Sequence, residues 1–321
     1  ASDVYKRQGL EVCEVLKEHG KVPKHPIEVI VFTDEEGFRF GKGLLGSSSL
    51  CGQDPDVSDD ELDIYGEPRG EVMKSYGITS ANVMKAKRDP KTVHSFIELH
   101  VEQGSRLYKA HTPVGVVSSI AGVNRYDVTV AGEANHAGST AMADRKDALV
   151  AAAGFINKVP EIVKEYGNEF TVATVGTIKV TPHSVNVIPG TCTFSLEIRD
   201  QSAEVMKLIE NHLRQLLEDI CKKYGVTSTF VPTSYHDPAP MSELVRGTIE
   251  EAVKELGIDY TVIPSGAFHD SLIMTSVFPT GMIFVPSKDG ISHSRYEYTA
   301  PEDIENGCNV LLNTVLKLDE K

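Results

Sequence analysis

The stretch Ile27 to Gly37, IEVIVFTDEEG, is an apolar, β-branched run that ends in three consecutive carboxylates and a glycine. Such a run reads as a central strand of a covered, mostly parallel sheet, and ligands of open α/β sheets sit just beyond the carboxyl ends of the strands. Glu35 and Glu36 fall at that rim. Adjacent residues leaving a strand project to opposite sides, so one carboxylate can hold a metal ion while its neighbour takes a proton from water. Alone, Asp-Glu-Glu is more often an acidic surface turn. Two histidines weigh against that. In ELHVEQG, His100 and Glu102 stand at the end of a predicted strand on the same rim, and in GISHSRYE, His293 lies in a glycine-serine loop after the predicted strand Met282 to Val285. Either histidine alone could be structural. With Glu36 they offer ligand types that suit zinc, manganese or cobalt from separated strand ends.

The elements that must position these residues follow from hydrophobic periodicity. A helix is expected from about Gly9 to His19, a strand over Glu28 to Phe32, a glycine- and serine-rich loop over Gly37 to Gly52, and strands at Ser95 to Val101 and Val114 to Ile120. Asp54 to Tyr65 reads as a loop leading to short helices. The pattern then changes. Strand Arg125 to Val130, helix Asp144 to Val159, strands Thr171 to Val180 and Thr191 to Ile198, helix Ala203 to Tyr224 and strand Thr227 to Val231 give the order β-α-β-β-α-β. That order belongs to a split βαβ sheet covered on one face by two helices. After a proline-rich crossing, Pro232 to Pro240, the α/β pattern resumes with helix Ser242 to Leu256, strands Tyr260 to Ile263 and Met282 to Val285, and helix Pro301 to Leu318. The fold expected is α/β: a catalytic domain of residues 1–120 and 233–321, with a mostly parallel sheet covered by helices, interrupted by a ferredoxin-like (βαββαβ) lid or dimerisation domain of residues 121–232.

Composition narrows the function. A chain of 321 residues exceeds one small core. A formal net charge of −14 argues against nucleic acid or anionic membrane as partner, since either requires a basic face. A small anionic substrate is compatible with it, given a local arginine. No apolar run approaches membrane-spanning length. The five cysteines are scattered without a C-x-x-C pair, which reads as reduced thiols of a cytoplasmic protein. The first eight residues, ASDVYKRQ, do not continue the helical pattern of Leu10, Val12, Val15 and Leu16, and the true beginning of the protein is expected to be missing.

Taken in order, FTDEEGFRFGKGLLGSSSLCG, ELHVEQG, NHAGSTAMADRKDAL, SVNVIPG, LEIRD, SGAFHDS and MIFVPSKDGISHS resemble the motifs of the dinuclear metal-dependent amidohydrolases related to carboxypeptidase G-like aminoacylases. The subgroup most like it holds N-carbamoyl-L-amino acid hydrolase, β-ureidopropionase and allantoate amidohydrolase. The resemblance implies two divalent metal ions (Zn, Mn, Co or Ni), no organic cofactor, a small ureido or carbamoyl amino acid substrate and a homodimer formed through the lid. It implies Glu35 as general base, Glu36 and His293 as ligands of one metal and His100 as ligand of the other. His136 would stabilise the oxyanion, in many relatives across the dimer, and Gln103, Asn186 and Arg199 would hold the two ends of the substrate. The chemistry agrees, because a urea-type carbonyl is a poor electrophile and a planar guanidinium matches a carboxylate. Read without the motifs, Arg199 is a solvated strand-end charge, Asn186 a turn former, His136 a loop residue, and His269 and Asp270 a helix start.

Departures from the pattern bear on substrate choice: Ser139-Thr140-Ala141-Met142 replaces Thr-Thr-Pro-Met, and Phe268 stands where a small residue is usual. Relatives also begin with a His-x-Asp strand and a Gly-rich loop whose aspartate bridges both metals. Neither motif occurs here, so the resemblance implies an N-terminally truncated chain, inactive by itself. The readings that compete with a carbamoyl amidohydrolase are allantoate amidohydrolase, an aminoacylase-like peptidase, and a metal-free binding or scaffold homologue.

Overall fold

The computed structural model describes residues 2–54 and 57–321, and the chain divides into two compact units, Ala1–Ile120 with Ala239–Lys321, and Ala121–Pro238. The first segment carries α1 (Ser2–Glu18), α2 (Leu45–Cys51), α3 (Arg69–Ser75), α4 (Ser80–Val83), β1 (Phe96–Val101), α5 (Arg106–Ala110) and β2 (Val114–Ile120). The inserted unit carries β3 (Gly122–Ala131), β4 (Asn135–His136), α6 (Ala148–Tyr166), β5 (Val172–Thr174), β6 (Ile178–Thr181), β7 (Val187–Ile188), β8 (Thr191–Asp200), α7 (Ala203–Tyr224) and β9 (Thr227–His236). The last segment returns to the first unit with β10 (Ala239–Pro240), α8 (Glu243–Leu256), β11 (Tyr260–Ser265), α9 (Asp270–Met274), β12 (Thr280–Val285) and α10 (Pro301–Glu320).

In the first unit β1 runs parallel to β12 and β11 parallel to β2, whereas β12 and β10 pair with β2 antiparallel. The sheet is therefore mixed where the apolar runs predict a mostly parallel one. The reason is that β2, VGVVSSI, is buried on both faces, and such a strand reads the same whichever way its neighbour runs. One face packs Leu99, Val116 and Ile283 against α1, α8 and α10 through Val12, Val245, Ile249 and Val310. The other packs Val117, Ile263, Met282 and Phe284 with Leu107 and Leu272.

Three expectations for this unit need correction. Residues 28–32 form no strand: Val31 is 60% exposed, while Val29, Ile30 and Phe32 line a groove of about 360 Å³ with Phe96 and Leu99 of β1. A β-branched run shows only that a segment can extend, and it does not supply the partner strand whose hydrogen bonds make a sheet. The glycine- and serine-rich loop contains α2, whose Ser47 and Ser49 hydroxyls donate to the carbonyls of Leu44 and Leu45 and so do not compete with the helix for its own N–H groups. Finally, α1 runs back to Ser2, and Gln8, expected outside the helix, is buried with its amide donating to the Ile304 carbonyl at 2.9 Å. A polar side chain satisfied by a distant carbonyl leaves no trace in local periodicity.

In the inserted unit the sheet order is β5 and β6, then β8, β3 and β9, all antiparallel. Strict alternation on β8 turns Cys192, Phe194, Leu196 and Ile198 toward Phe155 of α6 and Ile209 and Leu213 of α7, leaving Glu197 and Arg199 on the helix-free face. Asp147 caps α6 by accepting from Leu149 and Val150 N–H, and α7 ends at Gly225 in the left-handed region. The predicted strand Thr171 to Val180 is two strands, since residues 175–177 leave the ladder. β9 continues through Pro232 to His236, beyond the boundary at 232, because the proline sits at a register shift on an edge strand and its missing N–H leaves no gap in the ladder.

Packing is tight where α8 crosses β12. A Cβ added at Gly281 would stand 2.4 Å from Val245 Cγ1 and 3.0 Å from Ile249 Cδ1. Gly281→Ala should therefore destabilise the first unit by about 1–3 kcal/mol, read as a lower urea midpoint at unchanged m-value. An unchanged midpoint would show that α8 has room to move.

Candidate active site

The loop that follows residues 28–32 folds back on itself. Asp34 takes a left-handed conformation (φ 54°), the Glu35 carbonyl accepts from Leu44 N–H at 3.0 Å, and the Thr33 carbonyl from Gly46 N–H at 3.0 Å. Gly43 is required there, since a Cβ would lie 2.3 Å from the Glu35 oxygen. Beyond the loop, Arg39 pairs with Asp63 and Glu67, and buried Arg69 pairs with Glu61 while lying 3.8 Å over the Phe40 ring. Burial pushes the Asp34 carboxyl up from the ordinary carboxylate range. Glu35 is thereby half-buried and Glu36 exposed on a braced turn.

β1 and β12 deliver their side chains to one rim. The ladder pairs His100 with Phe284 and Val101 with Val285, continues as Glu102 N–H to the Val285 carbonyl at 2.9 Å, and ends with Gln103 N–H donating to Ser287 Oγ at 3.1 Å. Glu102 caps α5, taking Arg106 N–H on one oxygen and Leu107 N–H on the other. Its role is structural. Gln103, Asp289 and His293 are all left-handed non-glycine residues, at φ 57°, 57° and 53°.

Glu36 Oε1 lies 3.5 Å from His293 Nε2, and Gln103 Nε2 lies 3.1 Å from the same nitrogen. An amide N–H can only donate, so His293 Nε2 carries the lone pair and faces the Glu36 carboxylate without a proton between them. Two donors about 2.0–2.2 Å from one ion sit roughly 3.4 Å apart, so this pair has the spacing of two ligands to one metal. His100 is at the same rim but buried, its Nδ1–H donating to the Val101 carbonyl at 2.8 Å, which assigns the lone pair to Nε2. Burial holds the His100 imidazole below its ordinary value, hence neutral near pH 7.

His100 has neighbours that sequence reasoning gave no chemistry. His269, fully buried at the start of α9, packs edge-on with ring centroids 4.4 Å apart, and Glu98 lies two residues back on β1. Ligand atoms of Glu98, His100 and His269 all lie within 4.8 Å of one another. Strand period two puts Glu98 on the face of His100, so that half of the cluster was readable from ELH. His269 was not. Phe268 beside it packs onto the core face that holds Leu107 and Phe284.

The remaining candidates sit on the inserted unit. β4 pairs with β7, placing His136 opposite Val187, and Ala137 N–H donates to the Asn186 carbonyl at 2.9 Å. His136 Nδ1 accepts from Gly138 N–H at 3.0 Å and Ser139 N–H at 3.2 Å. The neutral ring must then carry its proton on Nε2, a hydrogen-bond donor of fixed direction. Asn186 accepts from Ser184 Oγ at 2.7 Å. Arg199 donates its Nε–H to Glu197 at 2.7 Å, and Glu197 also takes the Nε–H of Arg125, so two guanidinium groups hold that carboxyl below its usual range despite burial.

Comparison with known proteins agrees with the motif resemblance. A family model for "Peptidase family M20/M25/M40" matches residues 8–317. The chain is 41% identical over 310 residues to the N-carbamoyl-L-amino acid amidohydrolase of Geobacillus stearothermophilus, covering 97% of this chain and 75% of that protein. It is 34% identical over 307 residues to the allantoate amidohydrolase of Bacillus subtilis (strain 168), covering 94% and 73%. Among solved structures, an amidase of the hydantoinase/carbamoylase family from Burkholderia multivorans superposes with a TM-score of 0.85 at 34% identity, over 98% of this chain and 75% of that one.

Proposed function

The chain belongs to peptidase family M20/M25/M40 and is a hydrolase, and from that premise we propose that it hydrolyses the ureido C–N bond of N-carbamoyl-L-amino acids. The observation that carries the site is the approach of Glu36, His293 and Gln103 to one point at the sheet rim, and the substrate class is supported by the relative at 41% identity. Glu36 and His293 would hold one divalent ion and His100 the other, with zinc, manganese, cobalt and nickel all suited to the donors. Such ions, when bound, polarise a carbonyl and make water nucleophilic near neutral pH.

The side chains do the rest. Glu35 takes a proton from the attacking water and returns it to the leaving nitrogen as the C–N bond breaks, so that N-carbamoyl amino acid and water give amino acid, ammonia and carbon dioxide. His136 Nε2–H donates to the oxyanion, and its Nδ1, held by Gly138 and Ser139, keeps that donor in place without a proton to lose. Gln103 and Asn186 orient the ureido group. Arg199, held by Glu197 on the helix-free face, takes the substrate carboxylate. The allantoate amidohydrolase relative favours a second reading in which allantoate is the substrate, and kcat/KM measured on both compounds decides between them. The free thiols of all five cysteines support a cytoplasmic setting.

Exposed Val172 and Ile178 on β5 and β6, and exposed Val231 on edge strand β9, support a homodimer through the inserted unit, since an open sheet edge with apolar residues must be paired or covered. With His136 acting on the partner's substrate, mixed Glu35→Gln and His136→Ala subunits should regenerate active heterodimers. No recovery after verified exchange would mean that His136 serves its own chain or has no catalytic part.

Three substitutions test the assigned roles. Glu35→Gln should keep its metal content and lose turnover by about 10²–10⁴-fold, the scale of a general base, whereas Glu36→Gln should lose metal too. Near-normal turnover of the Glu35 variant with metals intact would exclude it as the base. Arg199→Lys should raise KM steeply for N-carbamoyl amino acids, because an ammonium cannot reproduce a bidentate fork. The penalty should shrink for substrates whose carboxylate is an amide, and equal losses for both would make Arg199 structural.

A further inference from the structure

We propose that Glu297 is a positioning residue for the Glu36–His293 pair: its carboxylate holds the His293 backbone in the conformation that aims the ring nitrogen at Glu36. The proposal rests on the reading of Glu36 and His293 as ligands of one ion. His293 needs such support. Its side chain is 60% exposed, so little packing fixes the ring, and its φ of 53° is one that a residue with a Cβ keeps only where the surroundings hold it.

The loop between β12 and α10 is tied at both ends. Near its base, Lys288 N–H donates to the Tyr298 carbonyl at 2.9 Å and Thr299 Oγ1 to the Pro286 carbonyl at 2.9 Å. Gly290 is pressed against the segment after β1, where a Cβ would stand 2.9 Å from Ser105 N. None of these contacts reaches the tip that carries His293. Glu297 does. One oxygen, Oε2, accepts from His293 N–H at 2.9 Å and from the Ser292 hydroxyl at 2.8 Å, while Glu297 N–H donates to the Ser294 carbonyl at 3.0 Å. Side chain and backbone of one residue thus close a ring around His293, much as a capping box closes the start of a helix. The bond from the His293 amide is charge-assisted, and it restrains the backbone of the residue whose ring must point at Glu36. The other oxygen, Oε1, is buried, so the carboxylate is turned into the loop rather than toward solvent. Groups that orient a metal ligand without touching the metal are worth about 10–100-fold in metal affinity.

Cobalt(II) titration of the chelator-stripped protein, with and without His293→Gln, tests the role. Glu297→Ala should weaken binding by about 10–100-fold when His293 is present and add no further loss when it is replaced. Glu297→Gln, which keeps an oxygen for both donors, should bind as the native chain does. A carboxylate that ligated the ion itself would lose as much with Gln as with Ala. That result, an unchanged affinity of Glu297→Ala, or equal losses with and without His293 would each overturn the proposal. Amide exchange of the metal-free protein, followed by NMR, separates it from the ligand reading: in Glu297→Ala the His293 N–H should lose its protection while the amides of β1 keep theirs. If the native chain binds no cobalt, the ligand reading fails and exchange alone decides whether Glu297 holds His293. Lost protection then supports the proposal, and unaltered protection overturns it.

Discussion

The parallel register of β1 on β12 is the constraint on which the rim of the first unit depends. Parallel neighbours end on the same side of a sheet, and here Phe96 to Val101 pair one for one with Thr280 to Val285. Gln103, two residues beyond β1, therefore meets His293, in the loop after β12, although 190 positions separate them. Sliding one strand by a single residue would turn His100 from the His269 side to the opposite face. Burial of Leu99, Ile283 and Val285 against α1, α8 and α10 is what forbids the slip.

Much of this was legible in the sequence, for reasons particular residues make clear. Helix α7 runs over Ala203–Tyr224 as its amphipathic period predicts, with Ser202 and Gly225 as chemical punctuation at either end. β8 was legible because its alternation is strict and one face is covered. Residues 28–32 were misread because extension and pairing are separate properties, and only the first is local. The mixed sheet escaped for a similar reason, since direction is invisible in a strand buried on both faces. Gln8 and the serines of α2 found partners that no periodic pattern announces.

The site shows the same division. Motif resemblance brought Glu36, His293 and Gln103 forward, and in the structure Glu36 lies 3.5 Å and Gln103 3.1 Å from His293 Nε2. His269 lies 169 positions from His100 in sequence, and only the packing of α9 on β1, held by Ser271 on Glu98, reveals the pair. Proton positions are likewise a matter of neighbours. His136, His100 and His293 each have one ring nitrogen whose role is dictated by a backbone N–H, a carbonyl or an amide. None of those partners can be read from the histidine itself.

Asp34, Gln103, Asp289 and His293 share a left-handed backbone that L side chains adopt at a cost of about 1–3 kcal/mol each. Glycine at any of them would relax the loop. A lineage of this protein selected for thermal endurance alone would therefore drift toward glycine at the positions that shape the rim, gaining stability as it lost the means to aim Gln103 and His293. Thermostable descendants and active ones should part company first in these loops, long before the cores of either unit change.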